Sequence, residues 1–226
     1  MAGTRGKQAI KREASREAIL DAAEELFLSL GFHGARVDDI AQKAGLTKGA
    51  VYFHFEDKEA VLMEVLHRVR AVVLEPLVEA TQGSDLSPEN RIIAFLHRQA
   101  LIANEYPRRM LMITLLSIEL NGMNGIPSRY VKGGYARLAL ALEKVVAAGQ
   151  RLGQFRSDLP AREVSGVLLA LNDGMMLEWL RRQHKLDGAE MVRSMRAILW
   201  AGMMKKSSSQ ALPASLNAKI YTPAKV

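Results

Sequence analysis

The chain has no cysteine. That excludes a disulfide framework, thiolate metal sites and a cysteine nucleophile, and it fits a reducing, cytoplasmic setting. Aromatic residues are scarce, at 6%. No apolar run approaches the roughly 20 residues of a membrane span; Gly166 to Leu171 is typical of the longest. The N-terminal residues are charged and carry no apolar segment of signal-peptide length, so no membrane partner is expected. Also missing are a Walker loop, a GxGxxG, an HExxH and a GxSxG. The five histidines are scattered, and His54 and His67 have no second ligand three or four positions on. No enzyme, metal site or cofactor is therefore expected. The C-terminal stretch 205–226 has no acid, two prolines and several serines, and reads as a flexible basic tail.

What is present is an ordinary globular composition over 226 residues, 49% hydrophobic and 24% charged, with a net charge of +7. Apolar spacings of three and four dominate, so the fold class is all-α. A first helix is expected from Arg12 to Leu30, with Ile19, Ala23, Leu26, Phe27 and Leu30 as its core stripe and Gly31 as a left-handed stop. A long helix begins near Asp57 and is kinked by Pro76. Further helices are expected over 89–106, 108–120, 128–152, 161–184 and 188–204, with loops at 81–88 and 121–127.

The most informative segment is Val37 to Phe55, VDDIAQKAGLTKGAVYFHF. Ile40, Ala44, Leu46 and Val51 are spaced so that two short helices pack across a tight turn. Ala41 allows close approach, and Gly45 supplies the positive φ of the turn. Thr47 stands where an N-cap is wanted. A short helix opening with Thr47, Lys48 and Gly49 has what a recognition helix needs: side chains for base edges and amides that favour phosphate. A structural helical hairpin has the same spacing.

These residues resemble a known family. ILDAAEELFLSLGF, IAQKAGLTKGAVYFHF and DKEAVLMEVL, between Leu20 and Leu66, look like the DNA-binding domain of the TetR family of transcriptional repressors. TKGAVYFHF resembles most closely the γ-butyrolactone receptor branch, which bears on the operator and not on the effector. GQRLGQFRSDLP followed by LLALNDGMMLEWL is a weaker signature. The family usually places Thr or Ser just before Val37; here Ala35 and Arg36 stand there, and Asp38 and Asp39 can serve the helix dipole instead.

The resemblance implies a homodimer of all-helical subunits that represses transcription from a palindromic operator in double-stranded DNA and is released by an apolar or amphipathic small-molecule effector. A DNA-binding regulator with no such effector is the alternative. The expected division is a flexible basic arm (1–11), a helix-turn-helix domain (12–56), a ligand-binding and dimerisation domain (57–204) and the tail.

Expected DNA contacts are Thr47, Lys48, Gly49, Tyr52, His54 and Lys58. Arg36 either meets phosphate or is solvated. Gly49 either admits the DNA backbone or is a packing glycine, and Tyr52 either reaches phosphate or is a core aromatic with a wet hydroxyl. Phe53 and Phe55 are assigned to the core. Lys7, Lys11, Arg12 and Arg16 form a basic arm that either follows DNA or is solvated.

In the second domain, two helices carry Val164, Leu168, Leu171, Met175 and then Met191, Met195, Ile198, Trp200, with small residues Ala197, Ala201 and Gly202. They are the expected dimer helices. A pocket is expected between them and residues 91–152. Met110, Met112, Met123, Met175 and Met176 either line it or are plain core. Tyr106 and Trp179 are candidate walls. Asn172-Asp173 and Glu119 interrupt apolar runs and need partners in the interface, another helix or a ligand.

The charge is unevenly placed. Residues 17–60 carry a net charge of −5, so the DNA reading rests on positioned residues and the arm, not on the overall excess of base.

Overall fold

The structure is a computed structural model that describes residues 2–83, 85–182, 185 and 187–205. The expected tail, from residue 206 onward, lies outside the described residues. Among those described, regular structure is entirely helical, and the one extended pairing is an isolated bridge between Phe155 and Met204.

Helix α1 (Ala2–Gly34) is interrupted at Gly31, whose φ of 72° and ψ of 172° are not helical. The stop falls on the glycine that the sequence marks. The start comes earlier: residues 2–11, expected as a flexible arm, extend the helix, since no proline interrupts them. Residues 7–14 of this extension are exposed. Ile19, Leu20, Ala23 and Phe27 are buried in the head. Leu30, expected on the same stripe, is 53% exposed. Steps of four from Ile19 and Ala23 through Phe27 land on Gly31, so Leu30 falls off the buried face.

Helices α2 (Val37–Lys43) and α3 (Lys48–His54) meet across Gly45, φ 67°. The Leu46 amide donates to the Ala41 carbonyl at 2.9 Å, which ties the turn beneath a buried Ala41. Thr47 Oγ1 accepts from the Ala50 amide at 3.2 Å and caps α3. Helix α4 (Lys58–Val72) is capped by Asp57, which accepts from the Ala60 amide at 2.8 Å. Ile40, Val51, Phe55, Val61, Leu62, Val65 and Leu66 close the core of the head.

Helix α4 ends at Val72 and α5 (Leu74–Ala80) follows through Val73, φ −110° and ψ −62°. The expected kink at Pro76 is thus a break three residues earlier, because the proline ring collides with the carbonyl four positions back. Helices α6 (Pro88–Glu105), α7 (Pro107–Glu119), α8 (Ile126–Arg151), α9 (Ala161–Arg181) and α10 (Gly188–Met203) complete the body. Pro127 sits in the first turn of α8, which therefore starts two residues before the expected Ser128. Helix α9 ends at Arg181; the expected end, His184, lies outside the described residues.

The body buries Ile92, Phe95, Met112, Leu116, Leu138 and Leu142 among α6, α7 and α8. At Gly149 of α8 a Cβ would lie 2.2 Å from the Phe155 ring, so only glycine lets that buried ring fold back onto the helix.

Candidate nucleic-acid interface and ligand cavity

Helix α3 turns its outer face to solvent. Thr47, Lys48 and Gly49 are exposed at its N-terminus, and Tyr52 and Phe53 are 48% and 68% exposed. An added Cβ at Gly49 would meet only Thr47 Oγ1, at 3.9 Å. Intramolecular packing therefore does not require this glycine. Tyr52 is not a core aromatic. Phe53, assigned to the core from sequence, is on the surface under the Arg12 guanidinium, 5.3 Å from the ring centre. Phe55, one step beyond the helix, is buried. Phe53 and Phe55 are two positions apart, a spacing that turns side chains to opposite sides of a helix, so both cannot face inward, and the sequence does not reveal which one does.

The cations around this face are in different states. Lys48 Nζ donates to Asp38 Oδ2 at 3.0 Å, and this carboxylate beside it pushes the ammonium pKa up. Arg36 is exposed at the N-cap of α2, with no side-chain capping bond. His54 is half-buried between the Phe53 and Phe55 rings; burial, then Arg12 and Arg16, push its pKa down.

Lys58, expected at phosphate, points inward. Its Nζ donates to the carbonyls of Phe32 at 2.7 Å and Ala35 at 2.9 Å and lies 4.4 Å from the Phe32 ring centre. The freed carbonyls after the break in α1 need donors, and Lys58 supplies them. Arg16 of the arm is likewise paired with Glu64.

The acidic side of the head is neutralised from α4 and α7. Arg68 of α4 pairs with Glu17, with Asp21 at 2.9 Å and with Glu24 at 3.5 Å. Arg109 of α7 grips Glu24 bidentately, at 2.9 and 3.0 Å.

Glu119, expected in the pocket, sits at the far end of the same α7. Its carboxylate accepts from the backbone amides of Phe32 and His33, both at 2.9 Å, and lies 2.7 Å from His33 Nδ1. Burial works against its charged form, but the His33 and Phe32 amides and the His33 ring outweigh it and hold the carboxyl below its usual range. Helix α7 thus holds α1 at two points.

A cavity of about 760 Å³ opens between α6, α9 and α10. Of the residues expected there, Asn172, Met175, Met176 and Trp179 line it. Tyr106 does not: it joins α6 to α7 under Arg109, 6.0 Å from its ring centre. Met112 and Met110 are buried core, and Met123 is on a loop, 36% exposed. Helical spacing puts methionine equally well in a core or a pocket wall, and the packing of α7 against α1 and α8 decides which. Sequence reasoning missed Gln99 and Arg196, both of which line the cavity. A glutamine inside the apolar stripe of α6 was the available signal.

Next to Asn172, Asp173 accepts from Thr114 Oγ1 of α7 at 3.3 Å and from Asn172 Nδ2 at 3.4 Å. Burial pushes its carboxyl pKa up, against those two hydrogen bonds. The Asn172-Asp173 pair therefore divides, one residue facing the cavity and the other tying α9 to α7.

Residues 19–65, from mid-α1 into α4, match the family model for bacterial regulatory proteins of the tetR family. The HTH-type transcriptional repressor BepR of Brucella suis biovar 1 (strain 1330) is 30% identical over 188 residues, covering 78% of this chain and 87% of that protein. The chain belongs to the TetR family. A TetR-fold neighbour, the MbdR regulator from Azoarcus sp. CIB, is 31% identical with a TM-score of 0.75, covering 84% of this chain and all (100%) of that one. AibR, solved in complex with isovaleryl coenzyme A and operator DNA, shares the fold at 17% identity and a TM-score of 0.69, covering 83% of this chain and 99% of that one. The relatives are transcriptional regulators, and the helix-turn-helix head followed by a helical body is the TetR arrangement.

Proposed function

We propose that the protein is a homodimeric repressor that binds a palindromic operator and is released by an amphipathic small molecule held between α6, α9 and α10. The observation that carries the DNA reading is the outer face of α3. It presents Thr47, Lys48 and Tyr52 around a glycine with no packing role, which lets a duplex backbone come close. Residues 12–56 read the DNA, with Arg36 and His54 flanking, and residues 57–204 dimerise and bind the effector. The dimer forms through α9 and α10, whose Val167 and Ile198 are 53% and 71% exposed beside the exposed small residues Ala197, Ala201 and Gly202. Apolar side chains on two adjacent helices are what a four-helix interface buries.

A regulator without an effector would favour a filled body. A cavity of about 760 Å³, of the size that holds small-molecule ligands, favours the effector. AibR, with the same fold, carries both operator DNA and an acyl coenzyme A.

Release is a population shift towards a subunit arrangement that no longer fits the operator, and it requires unequal effector affinity for the two states. Helix α7 is the connecting element. Thr114 bonds Asp173, the neighbour of the cavity residue Asn172, and Glu119 bonds the amides at the break in α1.

Selection of bound sequences from random DNA duplexes tests the reading. The expected result is a palindrome whose half-sites are one helical turn, about 34–36 Å, apart. Recovery of sequences with no dyad would overturn the dimeric operator, and no enrichment at all would overturn sequence-specific binding.

A further inference from the structure

Two side chains of the cavity wall carry buried polar atoms that the protein leaves without partners. Gln99 is 5% exposed and lines the cavity, and neither its amide nitrogen nor its amide oxygen has a hydrogen-bond partner. Arg196 lines it as well. Its Nη2 donates to the Leu96 carbonyl at 3.1 Å, whereas its Nε is buried and unpaired. Leu96 lies one helical turn before Gln99, so the guanidinium is anchored beside the amide on one face of α6. Buried polar groups are paired in the great majority of cases. Two neighbouring orphans at a cavity wall call for a third molecule.

Charge narrows what that molecule is. No aspartate or glutamate is among the described residues that line the cavity, and Arg193 on its rim is already paired with Glu190 at 2.9 Å. Arg196 is therefore a cation without a counter-charge in the wall. His97, Asn104 and Asn172 add neutral polar groups, and the rest of the wall is mainly apolar and adaptable, with Met175, Met176, Met195 and Trp179.

We infer that the cavity binds an amphipathic carboxylate, its oxyanion accepting from Arg196 Nε–H and Gln99 Nε2–H and its apolar body lying against the methionines and Trp179. The Gln99 amide oxygen then accepts from a water carried in with the head group. This inference rests on the reading of the cavity as the effector site.

The test uses the full chain, thermal shift and operator-binding competition, with matched probes: octanoate and 4-phenylbutyrate against octan-1-ol and 4-phenylbutan-1-ol. The carboxylates are expected to bind about ten- to a hundredfold more tightly than the alcohols, the ratio given by charge-assisted hydrogen bonds. Gln99→Leu and Arg196→Met should each remove at least about tenfold of carboxylate affinity and leave alcohol binding unchanged. Gln99→Leu should also raise the Tm of the unliganded protein, because an unpaired amide gives way to an apolar group of similar size; a purely structural glutamine would lower it. Alcohols that bind as tightly as carboxylates, or carboxylate binding that survives both substitutions, would overturn the head-group assignment and leave the effector site standing. The predicted ranking with operator affinity unchanged would support the carboxylate and defeat only the effector reading. No response to either carboxylate at millimolar concentration would overturn the inference outright.

Discussion

In the head, the cations around α3 find partners inside the protein; at the cavity wall, the Gln99 amide and the Arg196 Nε do not. Around α3, Lys58 donates to two backbone carbonyls, Arg16 is paired with Glu64, and Lys48 rests on Asp38. Between α6, α9 and α10, Gln99 and Arg196 Nε are buried with nothing to bond. The difference follows from where solvent is. A surface cation can exchange a weak partner for phosphate at little cost, because water screens both states. A buried group has no such reserve, so its missing partner is a stronger pointer to a ligand than any exposed charge.

The largest effect that would break this contrast is at Lys48. Lys48→Ala is expected to weaken specific operator binding about a hundredfold while sedimentation still reports the dimer. An unchanged footprint would remove Lys48 from the interface. Next is the N-terminal extension. Deleting residues 1–11 removes Arg5, Lys7 and Lys11. Each base that meets phosphate should flatten the log–log salt slope of binding by about 0.9. An equal slope for both proteins would leave the extension as solvated turns.

The junction gives a smaller effect. Glu119→Ala should destabilise the protein by about 1.5 kcal/mol at neutral pH, since two amides lose a charged acceptor. The carboxyl pKa is depressed in the folded state, so its contribution is present above the unfolded pKa and is lost as pH falls through the folded one. Denaturation curves of the two proteins should therefore converge in acid, and a constant gap would discount the ionised carboxylate.

Asp173 has the opposite sign. Its carboxyl pKa is raised by burial, so stability is complete below the unfolded pKa and falls as pH rises through the folded one. Asp173→Asn is expected to raise Tm by about 2 °C at pH 7 and to gain nothing near pH 3. A lower Tm at pH 7 would mean that the ionised carboxylate is needed where it stands.

Much of the head was legible because its signals are local. Gly31 and Gly45 take the positive φ expected of them, and Thr47 and Asp57 cap the helices they precede. Lys58 and Phe53 were misread because their surroundings come from elsewhere in the chain. Lys58 meets carbonyls 23 and 26 positions away, and Phe53 is turned outward because Val51 and Phe55 take the inward positions. In the body, Asn172, Met175, Met176 and Trp179 line the cavity as expected, all of them on α9. Tyr106, Met112 and Glu119 do not, since a helical pattern identifies an apolar face without saying what covers it.

The charge ledger shows the same limit. Residues 17–60 read as net −5, an unpromising balance for a DNA head. In three dimensions Glu17, Asp21 and Glu24 are matched by Arg68 and Arg109, which lie outside that segment.

The sequence alone determined the helical class, the helix-turn-helix with its caps and turn glycines, and the family resemblance that the comparisons bear out. These depend on residues within a few positions of one another, where periodicity and backbone geometry act directly. Only the tertiary structure decided which cations are free, that Glu119 joins the body to the head, and that Gln99 and Arg196 share one wall. Those facts depend on contacts between residues up to 100 positions apart, and no local pattern encodes them.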